Sequence, residues 1–120
     1  NAQSNGAKYD VIGLSYYPYW LDGHPDYTLS INDLAITLTD LVSRYKKEVI
    51  IVEVGGEDSQ PQNCYDMLVA VQQKVKAVPG KKGLGGIYWE PQGARSWSGY
   101  GLSAWGSNGR PTIALDAFLP

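Results

Sequence analysis

The chain has 120 residues, of which 43% are hydrophobic and 18% are charged, and this composition is ordinary for a single soluble domain. The formal net charge of −2 and the scattered positive charges exclude the basic surface that nucleic acids bind, so no nucleic-acid partner is expected. No apolar run approaches the ~20 residues of a membrane span, and the single cysteine, Cys64, excludes a disulfide framework and a multi-cysteine metal site.

The chain begins with Asn1-Ala2, and its only methionine is Met67. We interpret residues 1–8 as an expression scar and tail of the kind that remains after a tag is cleaved. Residues 9–120 are then the structural domain. A signal peptide of the parent protein would lie outside this chain.

The first predicted element is a short apolar strand at residues 9–17, which Pro18 ends and which is typical of a strand buried on both faces. After an aromatic-rich loop, apolar residues recur at helical spacing over residues 31–45 and predict an amphipathic helix. Ser30 followed by Asp33 predicts a capping box at the start of this helix.

Residues 48–54 predict a second strand, which Gly55-Gly56 ends. A second amphipathic helix is predicted over residues 64–78, followed by a third strand at residues 84–90. A long loop rich in Gly, Ser and Trp then leads to Pro111, which suits the first turn of a last helix. The predicted inner face of that helix consists of Ile113, Ala114, Leu115 and Phe118.

The order β-α-β-α-β-α predicts an α/β fold with parallel strands that are joined by right-handed crossovers. Three strands leave two bare sheet edges, whereas a doubly wound domain of this length would contain about five strands. The chain is about half as long as a (β/α)8 barrel of about 250 residues. The simplest interpretation is three consecutive βα units that form the last part of a (β/α)8 TIM barrel, expressed as a fragment.

Catalytic residues of parallel α/β folds collect at the carboxyl ends of the strands, which here carry Tyr16-Tyr17, Glu53 and Trp89-Glu90. Because Glu53 follows three apolar residues, we expect a partly desolvated carboxylate that points into the mouth of the barrel. Glycoside cleavage uses two carboxyl groups, about 5–5.5 Å apart in retaining enzymes. Spacing alone leaves a second interpretation open, in which Glu53 forms a structural ion pair.

Three motifs carry a family resemblance: DVIGLSYYPYW (residues 10–20), VIIVEVG (residues 49–55) and GIYWEPQGA (residues 86–94). Together they resemble the C-terminal part of glycoside hydrolase family 53, the arabinogalactan endo-β-1,4-galactanases. They occur in the family's order, at strands six, seven and eight of its (β/α)8 barrel. SYYPYW is the most specific motif, whereas VEVG alone would be a weak signal.

The resemblance implies that Glu53 is the nucleophile of a retaining glycosidase that cleaves internal β-1,4 bonds of galactan or of another pectin side chain. It implies that the acid/base is a glutamate after strand four, outside this chain, so we expect the fragment alone to be inactive. It also implies that the parent protein is extracellular, periplasmic or attached to the cell surface.

Two features depart from the family pattern. Val54-Gly55-Gly56 follows Glu53, where the family pattern has Thr or Ala and often an aromatic residue. The loop after strand eight lacks an evident cluster of calcium ligands, so neither a metal nor a cofactor is expected.

Five further residues are candidates for substrate binding. Tyr16 and Tyr17 are neighbours whose side chains point to opposite faces, so one of them is expected to reach the nucleophile or the sugar and the other to pack in the barrel. The resemblance implies that Trp89 is an aromatic floor beneath the sugar and that Glu90 is a binding or electrostatic residue. Glu90 as a second catalytic carboxylate, and plain core packing of Trp89, remain alternatives. Trp20 is expected to contribute to a sugar subsite.

Two other functions remain open at this point. One is a carbohydrate-binding or structural βα module without hydrolytic activity, and the other is a related retaining glycosidase that acts on another β-linked polysaccharide. The bare edges and the apolar barrel-facing residues of a three-stranded sheet also predict self-association of the truncated barrel.

Overall fold

The computed structural model describes residues 3–120, so Asn1-Ala2, which we interpret as part of an expression scar, lie outside the described residues. The strands are β1 (Val11–Tyr16), β2 (Glu48–Val54) and β3 (Gly83–Tyr88), and the helices are α1 (Ile31–Tyr45), α2 (Pro61–Lys76) and the single turn α3 (Arg95–Ser98). Short 3-10 helices cover Pro18–Trp20, Tyr27–Leu29, Pro79–Lys81 and Ile113–Phe118. None of the helices in residues 3–120 combines the length and the apolar composition that crossing a membrane requires.

The three strands form one parallel sheet in the order β1-β2-β3, as the sequence predicts. Strand β2 has its predicted bounds. Strand β1 starts later than predicted, at Val11, and β3 ends earlier, at Tyr88. Consequently Tyr17, Trp89 and Glu90 lie just beyond the strands rather than within them.

The core lies between one face of the sheet and the helices α1 and α2. The buried residues of the two helices follow the predicted stripes: Ile31, Leu34, Leu38 and Val42 in α1, and Cys64, Met67, Leu68, Val71 and Val75 in α2. Val49 and Ile51 of β2 face them and are completely buried. Full burial of one such aliphatic side chain contributes about 1.5–3 kcal/mol, so this interface is the main source of stability.

The opposite face of the sheet is open in the described residues. Its apolar side chains are between 37% and 54% exposed: Val11, Val52, Leu84 and Ile87. The prediction that the strands are buried on both faces therefore holds here for one face only. In a closed barrel the other face would be the inner one, where side chains from all the strands bury each other.

Two local predictions are wrong. The side chain of Ser30 does not cap α1, because its hydroxyl is hydrogen-bonded to the hydroxyl of Tyr16 at 2.7 Å. The predicted last helix is a 3-10 helix, Ile113–Phe118, which buries Ala114 and Ala117 and leaves Phe118 exposed. Because a 3-10 helix has three residues per turn, its buried side comprises residues 114 and 117, three apart, instead of the predicted inner face.

Candidate active site

A bulge in β2 decides which way Glu53 points. Ile51 and Glu53 pair with consecutive residues of β1, so Val52 is an extra residue without a partner there. Strict alternation would place Glu53 on the same face as Ile51, toward the helices. Instead, Val54 continues the buried row, and Glu53 is partly exposed on the opposite, open face. Bulges often re-aim a side chain beside an active site.

Tyr17 holds the carboxylate of Glu53 from the end of the neighbouring strand. Its hydroxyl donates a hydrogen bond to Oε2 of Glu53 at 3.1 Å. Tyr16 lies on the other side of the sheet, where it is buried and its hydroxyl pairs with Ser30. The structure therefore brings Tyr17 to Glu53 and leaves Tyr16 in the core.

Tyr17 is a stable proton donor to this carboxylate. Burial, the neighbouring Tyr100 hydroxyl and the hydrogen bond to Glu53 together raise the pKa of Tyr17 well above its ordinary value. A tyrosine with a raised pKa stays neutral as the pH increases, and a neutral phenol can donate. Tyr17 therefore orients the carboxylate of Glu53 at every pH near neutrality.

The two glycines that follow β2 make a turn with no room for side chains. A Cβ on Gly55 would lie 2.9 Å from the carbonyl oxygen of Leu102 and 3.2 Å from the ring of Tyr17. A Cβ on Gly56 would lie 2.8 Å from Sγ of Cys64. Glycine at both positions lets the segment after Glu53 pass closely between its neighbours.

Tyr88, the last residue of β3, stabilises the Gly55-Gly56 turn through its hydroxyl. Its hydroxyl donates to the carbonyl oxygen of Leu102 at 2.9 Å and accepts from the backbone N–H of Gly56 at 3.3 Å. Sγ of Cys64 lies 3.6 Å from the same hydroxyl. Burial raises the pKa of the Cys64 thiol to about 11, so this thiol is protonated near neutral pH and is a poor nucleophile. We therefore assign Cys64 a packing role.

The loop after β3 is tied to the loop after β2. The guanidinium of Arg95 donates two hydrogen bonds to the carboxylate of Asp58, at 3.1 and 3.2 Å. The backbone N–H of Asp58 donates to the carbonyl oxygen of Gly101 at 2.9 Å. A Cβ on Gly101 would overlap the Arg95 guanidinium, so a side chain there would displace Arg95 from its present position beside Asp58. These contacts hold the part of the loop that carries Tyr100.

Trp89 and Trp20 present exposed indole rings beyond the carboxyl ends of β3 and β1. Trp89 is 46% exposed, and its backbone N–H donates to the carbonyl oxygen of Val54 at 3.0 Å. Trp20 is 72% exposed, and its ring meets Tyr19 edge-on with 4.7 Å between ring centroids. Exposed aromatic faces of this kind suit the apolar face of a sugar ring.

Glu90 adds a second carboxylate beside Trp89. Its backbone is left-handed, with φ of 47°, a conformation that non-glycine residues rarely adopt and that is often found at functional sites. The side chain is exposed, and its charge acts on the hydroxyl of Tyr100.

The described residues, 3–120, contain no group of three or more His, Cys, Asp or Glu side chains that could hold a metal ion. His24, the one histidine of the sequence, lies 3.7 Å from the carboxylate of Glu57, and its ring contacts Tyr19. His24 thus links the loop after β1 to the loop after β2.

Sequence reasoning noticed the aromatic cluster that contains Tyr88 and Tyr100 but assigned neither residue a role at this site. Tyr88 lies inside an apolar strand pattern, and Tyr100 is one of several aromatic residues in a long loop. The clustering of aromatic residues near the strand ends was the only signal for them. The hydrogen bond of Tyr88 with Gly56 and the electrostatic effect of Tyr100 on Tyr17 join residues far apart in the sequence and have no local signature.

A carboxylate at the carboxyl end of a parallel strand, bonded by a tyrosine and accompanied by exposed tryptophans, is an arrangement typical of glycoside hydrolases on (β/α)8 barrels. The sequence profile described as glycosyl hydrolase family 53 matches residues 1–60 and 54–118. The chain therefore belongs to glycosyl hydrolase family 53, which confirms the predicted family.

Named relatives agree with this assignment. The chain is 33% identical, over 113 residues, to an arabinogalactan endo-β-1,4-galactanase of Cellvibrio japonicus, an alignment that covers 75% of this chain and 28% of that protein. It is also 33% identical, over 108 residues, to a probable arabinogalactan endo-β-1,4-galactanase A of Neosartorya fischeri, covering 73% of this chain and 29% of the relative. The chain thus spans about a third or less of the length of these relatives.

Solved structures confirm the predicted fold class. The family 53 catalytic domain of Ignisphaera aggregans superimposes with a TM-score of 0.75 at 20% identity, covering 98% of this chain and 40% of that domain. A structure from a study of two fungal β-1,4-galactanases gives a TM-score of 0.71 at 21% identity, covering 92% of this chain and 37% of the other. The three βα units are part of a (β/α)8 barrel.

Proposed function

We propose that this chain is the part of a retaining endo-β-1,4-galactanase that carries the nucleophile, Glu53. The observation that supports this most strongly is the bulge in β2, which turns Glu53 onto the open face of the sheet beside Tyr17. A purely structural role for the carboxylate of Glu53 does not require it to point to the open face of the sheet. The family membership and the galactanase names of the relatives supply the substrate class.

In the proposed reaction, a carboxylate oxygen of Glu53 attacks the anomeric carbon while the bond to the leaving oxygen breaks. The acid/base that protonates this oxygen is a glutamate that the family places after strand four, in a segment outside these 120 residues. Water then hydrolyses the galactosyl-enzyme and the anomeric configuration is retained. Tyr17 keeps the attacking carboxylate oriented through both steps.

Around this centre we propose four substrate-binding residues. Trp89 forms the floor under the sugar at the cleavage point, and Trp20 contributes to a more distant subsite. Tyr17 and Glu90 supply polar contacts to the sugar hydroxyls. The core position of Tyr16 supports a packing role on the helix face of the sheet, away from the sugar.

We further propose that the 120-residue chain alone has little or no activity and self-associates. Loss of general acid catalysis alone costs about 10²–10⁴-fold in rate. The exposed face of the sheet and the outer edges of β1 and β3, which pair only with β2 within residues 3–120, favour association. Sedimentation of the isolated chain tests the proposed self-association, and a monodisperse monomer would contradict it.

The proposed location of the parent protein is extracellular, periplasmic or at the cell surface, where a polysaccharide substrate is accessible.

Tyr17→Phe in the full-length protein is expected to lower kcat on β-1,4-galactan by roughly 10- to 100-fold, because a hydrogen bond to a charged group contributes about 1.5–3 kcal/mol. Steady-state kinetics measures the effect. Tyr16→Phe is the matched control, since it removes the neighbouring hydroxyl on the opposite face and should leave kcat within about twofold. Equal losses in both variants would contradict the role of Tyr17.

A carbohydrate-binding module without hydrolytic activity is the second candidate, favoured by the exposed Trp20 and Trp89. Comparison of Trp89→Ala with Glu53→Gln separates the two candidate functions. Under the galactanase proposal, Trp89→Ala should raise KM on galactan by about tenfold, because one aromatic stacking contact contributes about 1–1.5 kcal/mol. Calorimetric titration with galacto-oligosaccharides measures binding in the same variant. If Trp89→Ala abolishes binding while Glu53→Gln leaves every measured property unchanged, the binding module is the correct function.

A further inference from the structure

The bulge in β2 places two consecutive side chains on the open face of the sheet. Val52 has no partner in β1, and β2 is also one residue longer than β3 across the bulge. Val52 is 37% exposed and Glu53 is partly exposed, whereas Ile51 and Val54 on either side of them are buried. A regular strand would present only one of the two residues on this face, so the bulge needs additional room there.

Gly13, in the middle of β1, provides this room. It lies on the open face of the sheet, between Val11 and Ser15. A Cβ on Gly13 would lie 2.9 and 3.1 Å from the two methyl carbons of Val52 and 3.6 Å from its Cβ. Carbon atoms in contact are usually about 3.5–4.0 Å apart, so the side chain of Val52 occupies the space that a side chain at position 13 would fill. Glycine inside a strand often marks a close approach of this kind.

Val52 cannot avoid a side chain at position 13 by rotating. Valine has one side-chain dihedral and carries two methyl groups on its Cβ. Because both methyl groups face Gly13, each of the other two staggered rotamers still directs one methyl group toward it. A methyl group at position 13 would therefore displace the main chain of β1 or of the bulge.

Such a displacement reaches the carboxylate of Glu53 through the main chain. Glu53 directly follows Val52 and pairs with Ser15, two residues after Gly13. Its carboxylate accepts the hydrogen bond from Tyr17, two residues further along the same chain segment, at 3.1 Å. The contact between Gly13 and Val52 thus sets the spacing of the two segments that carry Tyr17 and Glu53.

We propose that Gly13 is a positioning residue for Glu53: the space at Gly13 receives the side chain of Val52, which lets the bulge form and directs the carboxylate toward Tyr17. The inference rests on the proposed role of Glu53 as the nucleophile. It assigns a task in the reaction to a residue of a different βα unit, which has no side chain of its own.

Two complementary changes of size in the full-length protein test this proposal. Gly13→Ala should lower kcat on β-1,4-galactan by about 10- to 100-fold, because a displacement of about 1 Å at a catalytic group has that effect. Val52→Ala removes both methyl groups, so adding Gly13→Ala in that background should change kcat by less than about threefold. Gly86→Ala is the matched control, since a Cβ there has its nearest neighbour at 3.8 Å, and it should keep the wild-type kcat. Rates are measured well below the melting temperature of each variant, so that unfolding does not contribute.

The kinetic cycle has outcomes that overturn the proposal. An equal loss of kcat in both backgrounds would mean that glycine at position 13 is needed for a reason other than the room for Val52. A wild-type kcat in Gly13→Ala would mean that the close packing has no role in the reaction. If Gly13→Ala alone does not fold, recovery of folding and of kcat in the double variant supports the proposal, and absence of recovery overturns it.

Crystal structures of the same variants separate failure of this proposal from failure of the proposed function. In Gly13→Ala, the distance between the Tyr17 hydroxyl and Oε2 of Glu53 should increase beyond about 3.5 Å, the limit of a hydrogen bond, and the double variant should restore the bond. An unmoved carboxylate in Gly13→Ala would overturn the proposal. A displaced carboxylate that the double variant restores, in a protein that does not cleave galactan, would support the role of Gly13 and reject the galactanase function.

Discussion

Glu53→Gln in the full-length protein is expected to lower kcat on β-1,4-galactan by about 10⁴-fold or more, the scale on which loss of a covalent nucleophile acts. Glutamine has the shape of glutamate, but its neutral amide does not attack the anomeric carbon. The carbonyl oxygen of the glutamine side chain can still accept the hydrogen bond from Tyr17, so the local structure and the KM should change little. Release of reducing ends from galactan measures the effect.

Glu57→Gln is the matched control for this variant, because it makes the same chemical change in the loop that follows β2. Glu57 pairs with His24 at the rim, so the control should retain activity within about threefold. The 120-residue chain alone serves as a further sample and should release no product. If Glu53→Gln retained the activity of the wild-type protein, Glu53 would be a structural residue.

Gly55→Ala is expected to destabilise the protein by about 1–3 kcal/mol, the usual cost of overpacking a tight site. Its effect on kcat should be larger, a loss of roughly 100-fold, because a displacement of about 1 Å at a catalytic group has that consequence. The new methyl group would press on Leu102 and on Tyr17, the residue that orients Glu53. Thermal unfolding and steady-state kinetics measure the two effects separately.

Gly86→Ala provides the control for this prediction. A Cβ on Gly86, in β3, would find its nearest neighbour at 3.8 Å, an ordinary contact distance. We expect this variant to unfold near the wild-type temperature and to keep its activity. If Gly55→Ala behaved like Gly86→Ala, the close packing of the turn would have no role in catalysis.

The elements that the sequence predicts well are those whose signal is local. The bounds of β2 follow from an apolar run that two glycines end, and the buried stripe of α1 follows from spacing at 3.6 residues per turn. Glu53 could be named because a carboxylate at a strand end is unusual. The family could be named from three short motifs in a fixed order.

The features that the sequence does not predict depend on contacts between distant segments. Alternation alone would turn Glu53 toward the helices, and only the pairing of β2 with its neighbours reveals the bulge at Val52. Ser30 fits a capping box, but a tertiary hydrogen bond to Tyr16 uses its hydroxyl instead. Tyr88 resembles any strand aromatic until its hydroxyl is found between Gly56 and Leu102.

The measurement that tests the central claim most directly is covalent trapping of the full-length protein. A 2-deoxy-2-fluoro galactobioside with an activated leaving group should form a slowly hydrolysed glycosyl-enzyme, as retaining glycosidases do through their nucleophile. We expect mass spectrometry of the digested protein to find the fluorosugar on Glu53. A label on Glu90 or on a carboxylate outside this chain, or turnover with inverted configuration and no label, would contradict the assignment of Glu53 as the nucleophile.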